Sequence, residues 1–512
     1  MTEFSFNIKS GVAMRRSAAR LQMASQISEQ EDRGLHHGPT APYSPLTELQ
    51  LDDIFAAALT LLAETGVGFE PGTEADAMFR NAGCSISGDG IVRIPAALTR
   101  RALDTTARSA RLWNRDGTKA IEIDCKHTWF FPGMTCIKIF DVKTGEARAS
   151  TRDDLAMVTR LADGLANIDG VCIACKNVSR TDEYGEIDEF ACMVENTAKP
   201  LEYLCENARS LGAVIEMAAT VRGGHEELRR KPYFLQIVTP LPLNYAATHI
   251  EQIIMAARAG VPVSTGTLPI GGASSPITIA GCMAQSLATD FAGMVLAQLA
   301  SPGAFCIGSS DVCFMEPATG AIGSFAQTSL ADMAMCQLRR KLGLPSLTGI
   351  GGHAVARRFN QDAVWEISSN MTQSFYSRPA TCDYLGSLDQ GLTFSPHALL
   401  LCSDLAGLLR NLWRGVPVND EQLALGIAKE VGPRGNYLAQ RHTAVNCRAQ
   451  VWNSRYFGAN IPLSNGAKPD EDLFDRIDAD LHELLENQVP AGLAPHIQVE
   501  LRVIQQRYEN TA

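Results

Sequence analysis

The sequence predicts an α/β protein built on a (β/α)8 TIM barrel, with an N-terminal α/β cap and a C-terminal helical extension. Three observations carry this. Short apolar runs alternate with helical stretches eight times between residues 126 and 415, the count that closes such a barrel. The loops after those runs are rich in Gly, Ser and Pro, and hold the few polar residues able to do chemistry. No Gly-x-Gly-x-x-Gly opens a helix anywhere, which weakens an open, dinucleotide-binding sheet.

Taken in order, residues 1–45 read as a mobile tail. Arg15, Arg16 and Arg20 are soon followed by acidic residues, and no apolar segment leads to a small-residue cleavage site. A cytoplasmic location is expected. Residues 46–125 read as the cap: helices Leu51–Thr65, Glu74–Ala82 and Ala96–Ser109, and a strand Ile91–Pro95. Ile121–Asp124 and Cys136–Val142 read as hairpin strands around the apolar run Thr128–Gly133.

The barrel is expected over 126–415. Its strands are Thr128–Phe131, Val171–Lys176, Leu201–Cys205, Phe234–Val238, Pro262–Thr267, Phe305–Ser309, Ser346–Gly349 and Cys382–Leu385. Its helices are Arg152–Ala166, Glu186–Glu195, Gly212–Val221, Ala247–Ala259, Pro276–Ala300, Leu330–Lys341, Asp362–Tyr376 and Pro396–Trp413. Ser275-Pro276 predicts a helix start with Ser as N-cap and Pro at the first turn. Residues 416–512 read as the extension: helix Asn419–Ala428, a loop Val431–Asn436, a helix from Arg441 towards Trp452, and helices over 470–487 and 496–508.

A net charge of −11 and a pI near 5.5, with no basic block, argue against a nucleic-acid partner. No apolar run reaches the ~18–20 residues of a membrane span. The best, Leu287–Ala300, is interrupted by Asp290 and Gln298. Fourteen cysteines scattered through apolar runs suit buried side chains in a reducing compartment. Cys172 and Cys175 share a strand and point to opposite faces; with no second pair and no nearby His, no metal site is expected.

Several segments resemble the corrinoid-dependent trimethylamine methyltransferase family, in its branch without pyrrolysine. They are Phe140 to Glu146 (FDVKTGE), Asn196 to Pro200, Gly271 to Gly281 (GGASSPITIAG), Gln298 to Gly303, Gln337 to Pro345, Val431-Gly432-Pro433 with Gly435, and His442-Thr443. The resemblance implies a barrel that moves a methyl group from a methylated amine to cobalamin on a partner corrinoid protein. In the archaeal trimethylamine enzymes pyrrolysine follows a late strand; the stretch here, Gly349 to His353, holds ordinary residues. The branch without it implies a quaternary amine such as glycine betaine. His353 to Arg357 departs from the family pattern, and Asn446 stands where a second His often follows His-Thr. No D-x-H-x-x-G segment is present, so the corrinoid is expected on another polypeptide. The expected assembly is a homo-oligomer.

Methyl transfer to cob(I)alamin is an in-line displacement, and a quaternary ammonium leaves as a neutral amine. The protein must position and desolvate a cation, with aromatic faces and a carboxylate as the natural tools. Strand ends supply the candidates. His353, Glu206, Asp311 and Glu316 are catalytic candidates, and Phe131, Gln236, Tyr384 and His442 would line the substrate. Gly351, Gly352 and Ser275 would face the corrinoid, Ser275 through a helix N-terminus. An alternative is a barrel that binds a methylated amine without turnover, as a sensor or scaffold for a corrinoid-protein partner. A lyase or aldolase would need a Schiff-base lysine, for which Lys176 is the candidate.

Overall fold

The computed structural model describes residues 41–510 apart from 181, 310, 321, 324–325, 349–350, 458–471, 488 and 490. The expected tail lies outside the described residues up to 40, as do Gly349 and Ile350.

Eight short strands form a parallel ring: β1 (Trp129–Pro132), β2 (Val171–Cys172), β3 (Leu201–Tyr203), β4 (Phe234–Gln236), β5 (Val263–Ser264), β6 (Cys306–Ser309), β7 (Ser346–Thr348) and β8 (Thr381–Leu385). Each pairs in parallel with its successor from β2 to β8, and β8 pairs with β1. The ring closes between β1 and β2. Asp169 N–H donates to the Phe130 carbonyl at 2.9 Å, and Cys136 N–H to the Ala174 carbonyl at 3.1 Å. All eight strands coincide with apolar runs in the sequence, because strands buried on both faces are written as such runs.

The intervening helices are α1 (Arg152–Gly164), α2 (Glu183–Asn196), α3 (Ala208–Arg222), α4 (Ala247–Ala259), α5 (Ile279–Ala300), α6 (Ala326–Lys341), α7 (Gln361–Ser377) and α8 (Pro396–Trp413). Local chemistry sets their ends. Thr151, Asp182, Asn207, Asn360 and Ser395 cap starts through side-chain oxygens, and left-handed Gly223 and Gly260 stop α3 and α4.

Helix α5 is apolar all round because it is covered all round. The barrel lies on one side, and the N-terminal helices Glu48–Thr60 and Ala96–Thr105 pack on the other. By length and composition it could cross a membrane, yet 78% of its most apolar stretch is buried inside the protein. Its Asp290 is answered by Arg339 of α6, both side chains fully buried. The expected N-cap at Ser275 is not formed. Residues 270–275 close a tight turn in which the N–H groups of Ala273, Ser274 and Ser275 all donate to the Ile270 carbonyl, and the helix begins only at Ile279.

The expected hairpin is also re-paired. Ala120–Ile123 pairs with Ala110–Trp113, while Lys138–Phe140 pairs with Ala147–Ala149 and joins Thr393–Phe394 and Ser387–Leu388 in a four-stranded sheet. A second small sheet, Ile270–Gly271 with Cys313–Met315 and Ile322–Gly323, comes from the loops after β5 and β6. Both sheets therefore stand at the C-terminal end of the ring. In the C-terminal region, left-handed Ala424 (φ 49°) breaks the helix expected over Asn419–Ala428 into Asp420–Leu423 and Leu425–Val431. Arg441–Gln450 follows, then Leu473–Glu486 against α8 and α1, and Pro495–Glu509 against α3 and α2.

Candidate active site

Register decides which side chains enter the lumen. Paired residues of neighbouring parallel strands point to the same side. Tyr203 and Gln236 are paired and face outward: the Tyr203 hydroxyl donates to the Glu186 carbonyl on α2, and Gln236 Nε2 lies 3.4 Å from Gln252 Oε1 on α4. One residue earlier, Cys172, Glu202 and Leu235 line up across β2, β3 and β4 and face inward. On β8, Thr381 and Asp383 share the inward side, with the Thr381 hydroxyl donating to Asp383 Oδ2 at 3.0 Å.

At the top of β8 the alternation breaks. The pairing with β1 slips between Cys382 and Leu385, and Tyr384 adopts φ 60°. A left-handed tyrosine is strained and persists only where its surroundings hold it. Its ring packs edge-on to His353, with centroids 6.3 Å apart. Burial first, then the charges of Asp311, Asp383, Cys172 and Cys313 around it, hold its phenol well above the usual range.

Asp311 follows β6 and is 9% exposed; its N–H donates to Ser309 Oγ at 3.0 Å. The Thr348 hydroxyl at the end of β7 lies 2.8 Å from Asp332 Oδ1 of α6 and 3.4 Å from Asp311 Oδ1. His353 follows β7, and its carbonyl accepts from Asn370 Nδ2 of α7 at 3.0 Å. Glu366 holds the next stretch by accepting from Ala356 N–H at 3.0 Å. Thus Asp311, His353 and Tyr384 converge after β6, β7 and β8, with Asp383, Glu202 and Cys172 below them. A cleft of 550 Å³ between α6 and α7, lined by Leu330, Met333, Trp365, Glu366 and Asn370, adjoins the His353 segment. Another, of 410 Å³, lies at the opposite end of the barrel beside Trp113, Pro262 and Phe305.

The other expected residues fall elsewhere. Gln236 is turned to α4 and does not enter the lumen. Phe131 points inward and is fully buried, its ring filling the space at Gly170. Gly351 and Gly352 are buried against β8. A Cβ at Gly351 would stand 2.3 Å from the Asp383 carbonyl, and one at Gly352 2.6 Å from Leu385 Cα, so close approach explains both and neither faces outward. Ser275 Oγ pairs with Cys282 Sγ at 2.7 Å and presents no helix N-terminus. Glu206 stands at the rim, 64% exposed, paired at 2.5 Å with Lys176. Burial lowers the Lys176 pKa, but the Glu206 bond and nearby acids more than offset this. Glu316 is an exposed turn carboxylate accepting from Ala318 N–H. His442 lies on the helix Arg441–Gln450, whose hydrogen bonds run to Gln422 and Arg414, away from the Asp311, His353 and Tyr384 group. Cys172 and Cys175 diverge as expected, Cys172 beside Glu202 and Asp383, Cys175 beside Asp154, Glu189 and Cys192.

Glu202, Asp383 and Asp332 were missed by the sequence reading. For Glu202 and Asp383 the signal was present: a carboxylate inside each of the apolar runs LEYLC and TCDYL.

The profile of trimethylamine methyltransferases (MTTB) matches residues 13–511. The chain belongs to this family. It is 28% identical over 471 residues to trimethylamine methyltransferase MttB of Desulfitobacterium hafniense, covering 90% of this chain and 93% of that protein. It is 30% identical over 407 residues to the MttB of Methanosarcina barkeri, covering 77% and 81%. It is 26% identical over 478 residues to a glycine betaine methyltransferase of D. hafniense, covering 90% and 96%. Among solved structures, the monomethylamine methyltransferase of M. barkeri matches at 12% identity with a TM-score of 0.48, covering 92% of each chain. Membership makes the protein a methyltransferase of the methylated-amine class, as the resemblance implied.

Proposed function

We propose that the protein transfers a methyl group from a quaternary or tertiary methylated amine, such as a betaine, to cobalamin carried by a partner corrinoid protein. The observation that carries this reading is the convergence of Asp311, His353 and Tyr384 at the C-terminal ends of β6, β7 and β8, above the buried carboxyls of Asp383 and Glu202. C-terminal strand ends are where barrels of this kind place their chemistry. Desolvated carboxylates and an aromatic ring favour a cation over a neutral molecule of the same shape.

The residues present suit an acceptor delivered from outside. Asp311, His353 and Tyr384 stand on the face that the loops after β5, β6, β7 and β8 surround, so the methyl group would be presented at the open end of the ring. The reduced corrinoid supplies a cobalt nucleophile. The amine keeps the electron pair of the breaking carbon–nitrogen bond, so a quaternary substrate needs no proton donor. The chain's part is then to bind the ammonium, to aim one methyl outward, and to exclude water. Tyr384 supplies a face for the cation, Asp311 a countercharge, and His353 orients the Tyr384 ring.

The test is anoxic incubation of the purified protein with chemically reduced cobalamin and a panel of tetramethylammonium, glycine betaine, other betaines and trimethylamine. Loss of cob(I)alamin absorbance with one amine supports the reading and names its substrate. Binding of an amine with no conversion, with or without corrinoid proteins, counts against it.

A further inference from the structure

Glu202 and Asp383 lie on strands that are not neighbours. In the ring β3 and β8 are separated by β2 and β1, so their carboxyl groups meet across the lumen. Both are fully buried. Among the described residues, no group donates a hydrogen bond to either Glu202 oxygen or to Asp383 Oδ1; Thr381 serves only Asp383 Oδ2. Among the described residues, no lysine, arginine or histidine forms a salt bridge with either carboxyl. The titratable groups around it include Asp311 from the β6 loop, Cys172 of β2 and Tyr384 of β8, which add negative charge when ionised, and His353, which packs edge-on to Tyr384. The neighbouring β1 and β4 contribute apolar Phe131 and Leu235.

Two carboxylates in contact in an apolar lumen cannot both ionise. Among the described residues, the Thr381 hydroxyl is the side-chain donor to the pair, too little to satisfy a second charge. A single proton between them joins one oxygen of each carboxyl and removes one of the two charges.

We infer that Glu202 and Asp383 form a proton-sharing carboxyl dyad with one net negative charge, and that this dyad is the cation-selecting floor of the methylated-amine site. This rests on the functional reading above. Burial raises both carboxyls, and the Glu202 charge raises Asp383 further, while the bond to Asp383 draws Glu202 partly back down, so the shared proton is held at neutral pH. An ammonium arriving above the dyad stabilises its second charge. Binding therefore expels the proton to solvent, and a cation is chosen over its uncharged isostere.

Two measurements on the full chain test this. The first needs no ligand: infrared spectra at neutral pH of wild type, Glu202→Gln and Asp383→Asn. The dyad predicts a protonated-carboxyl stretch in wild type that either amide variant removes, since an amide can donate to the remaining carboxylate. The second is titration calorimetry with tetramethylammonium and with neutral 3,3-dimethylbutanol, in buffers of different ionisation enthalpy across pH 6–8. Wild type should release up to one proton per ammonium bound and bind it up to about tenfold tighter per unit rise in pH. Glu202→Gln, matched to wild type in melting temperature, should release none and show a flat profile. The neutral alcohol should show no pH dependence with either protein. Equal slopes in wild type and Glu202→Gln, or identical infrared spectra, overturn the dyad. If no ammonium binds, cation selection and the functional reading fall together, while the infrared result still decides whether the dyad exists.

Discussion

Replacing Arg339 by Met tests how the barrel holds the loop after β6. The Arg339 and Asp290 side chains are both fully buried and face one another between α6 and α5. The guanidinium fills the space left by Gly308 of β6, where a Cβ would lie 2.1 Å from it. Its Nε donates to the Ser309 carbonyl at 3.1 Å, two residues before Asp311. Removing the cation leaves Asp290 charged and dry, a change that costs about 3–5 kcal/mol where it has been measured. Replacing both partners by apolar residues of similar volume is often close to neutral. Equilibrium urea denaturation should therefore show Arg339→Met down by about 3–5 kcal/mol and the Asp290→Leu/Arg339→Met double variant restored to within about 1 kcal/mol of wild type. Methyl transfer should stay impaired in the double variant, because the Ser309 carbonyl has still lost its donor. A single variant as stable as wild type, or a double variant no better than the single, would refute the reasoning.

Other perturbations follow from single contacts. Tyr384→Phe keeps the ring and should transfer methyl groups within a few-fold of wild type. Tyr384→Ala loses a cation–π face worth ~0.5–2 kcal/mol, a drop of roughly 2- to 30-fold in kcat/KM; equal rates for the two would remove Tyr384 from the substrate site. Lys176→Met breaks only a rim ion pair and should leave turnover and melting temperature nearly unchanged; borohydride trapping of a substrate on Lys176 would show the opposite. Burial raises the Glu189 carboxyl to about 7, against the lowering effect of the Asn177 N–H that donates to it at 2.5 Å. The folded state then binds the proton more tightly than the unfolded chain. That contribution, at most about 3 kcal/mol, is fully present below the unfolded carboxyl range and is lost as pH rises through about 7. Urea midpoints across this range should fall less steeply for Glu189→Gln than for wild type, and parallel curves would contradict the assignment.

The barrel was legible because each strand is an apolar run bounded by turn residues, and five of its helices carry a side-chain N-cap. Ala247–Ala259 and Pro396–Trp413 were readable to the residue, the first closed by Gly260 and the second opened by Ser395-Pro396. The same property hid the site. Strands buried on both faces show no polar alternation, so nothing in FLQ or LEY says which side meets the lumen. The pattern therefore points to Gln236, which faces α4, and gives no weight to Glu202, which faces inward. Only pairing register separates them. Tyr384 was readable as a strand-end aromatic, but its turn into the mouth depends on a left-handed backbone that no residue pattern announces. Ser275-Pro276 carried a good helix-start signal and lost to a tighter turn around the Ile270 carbonyl. The Ile121–Asp124 strand found a nearer partner in Ala110–Trp113, across a short connection rather than the β1 run.

The central claim is that methyl transfer happens where Asp311, His353 and Tyr384 converge. The most direct measurement uses amines with deuterated N-methyl groups, reduced cobalamin, and wild type beside Asp311→Asn, with the product read by mass spectrometry. The account predicts deuterated methylcobalamin from wild type, and at least about tenfold less from a variant of unchanged melting temperature, the loss of roughly one charge-assisted contact. Label transfer undiminished in Asp311→Asn would place the chemistry elsewhere, and no label from any amine would contradict the account.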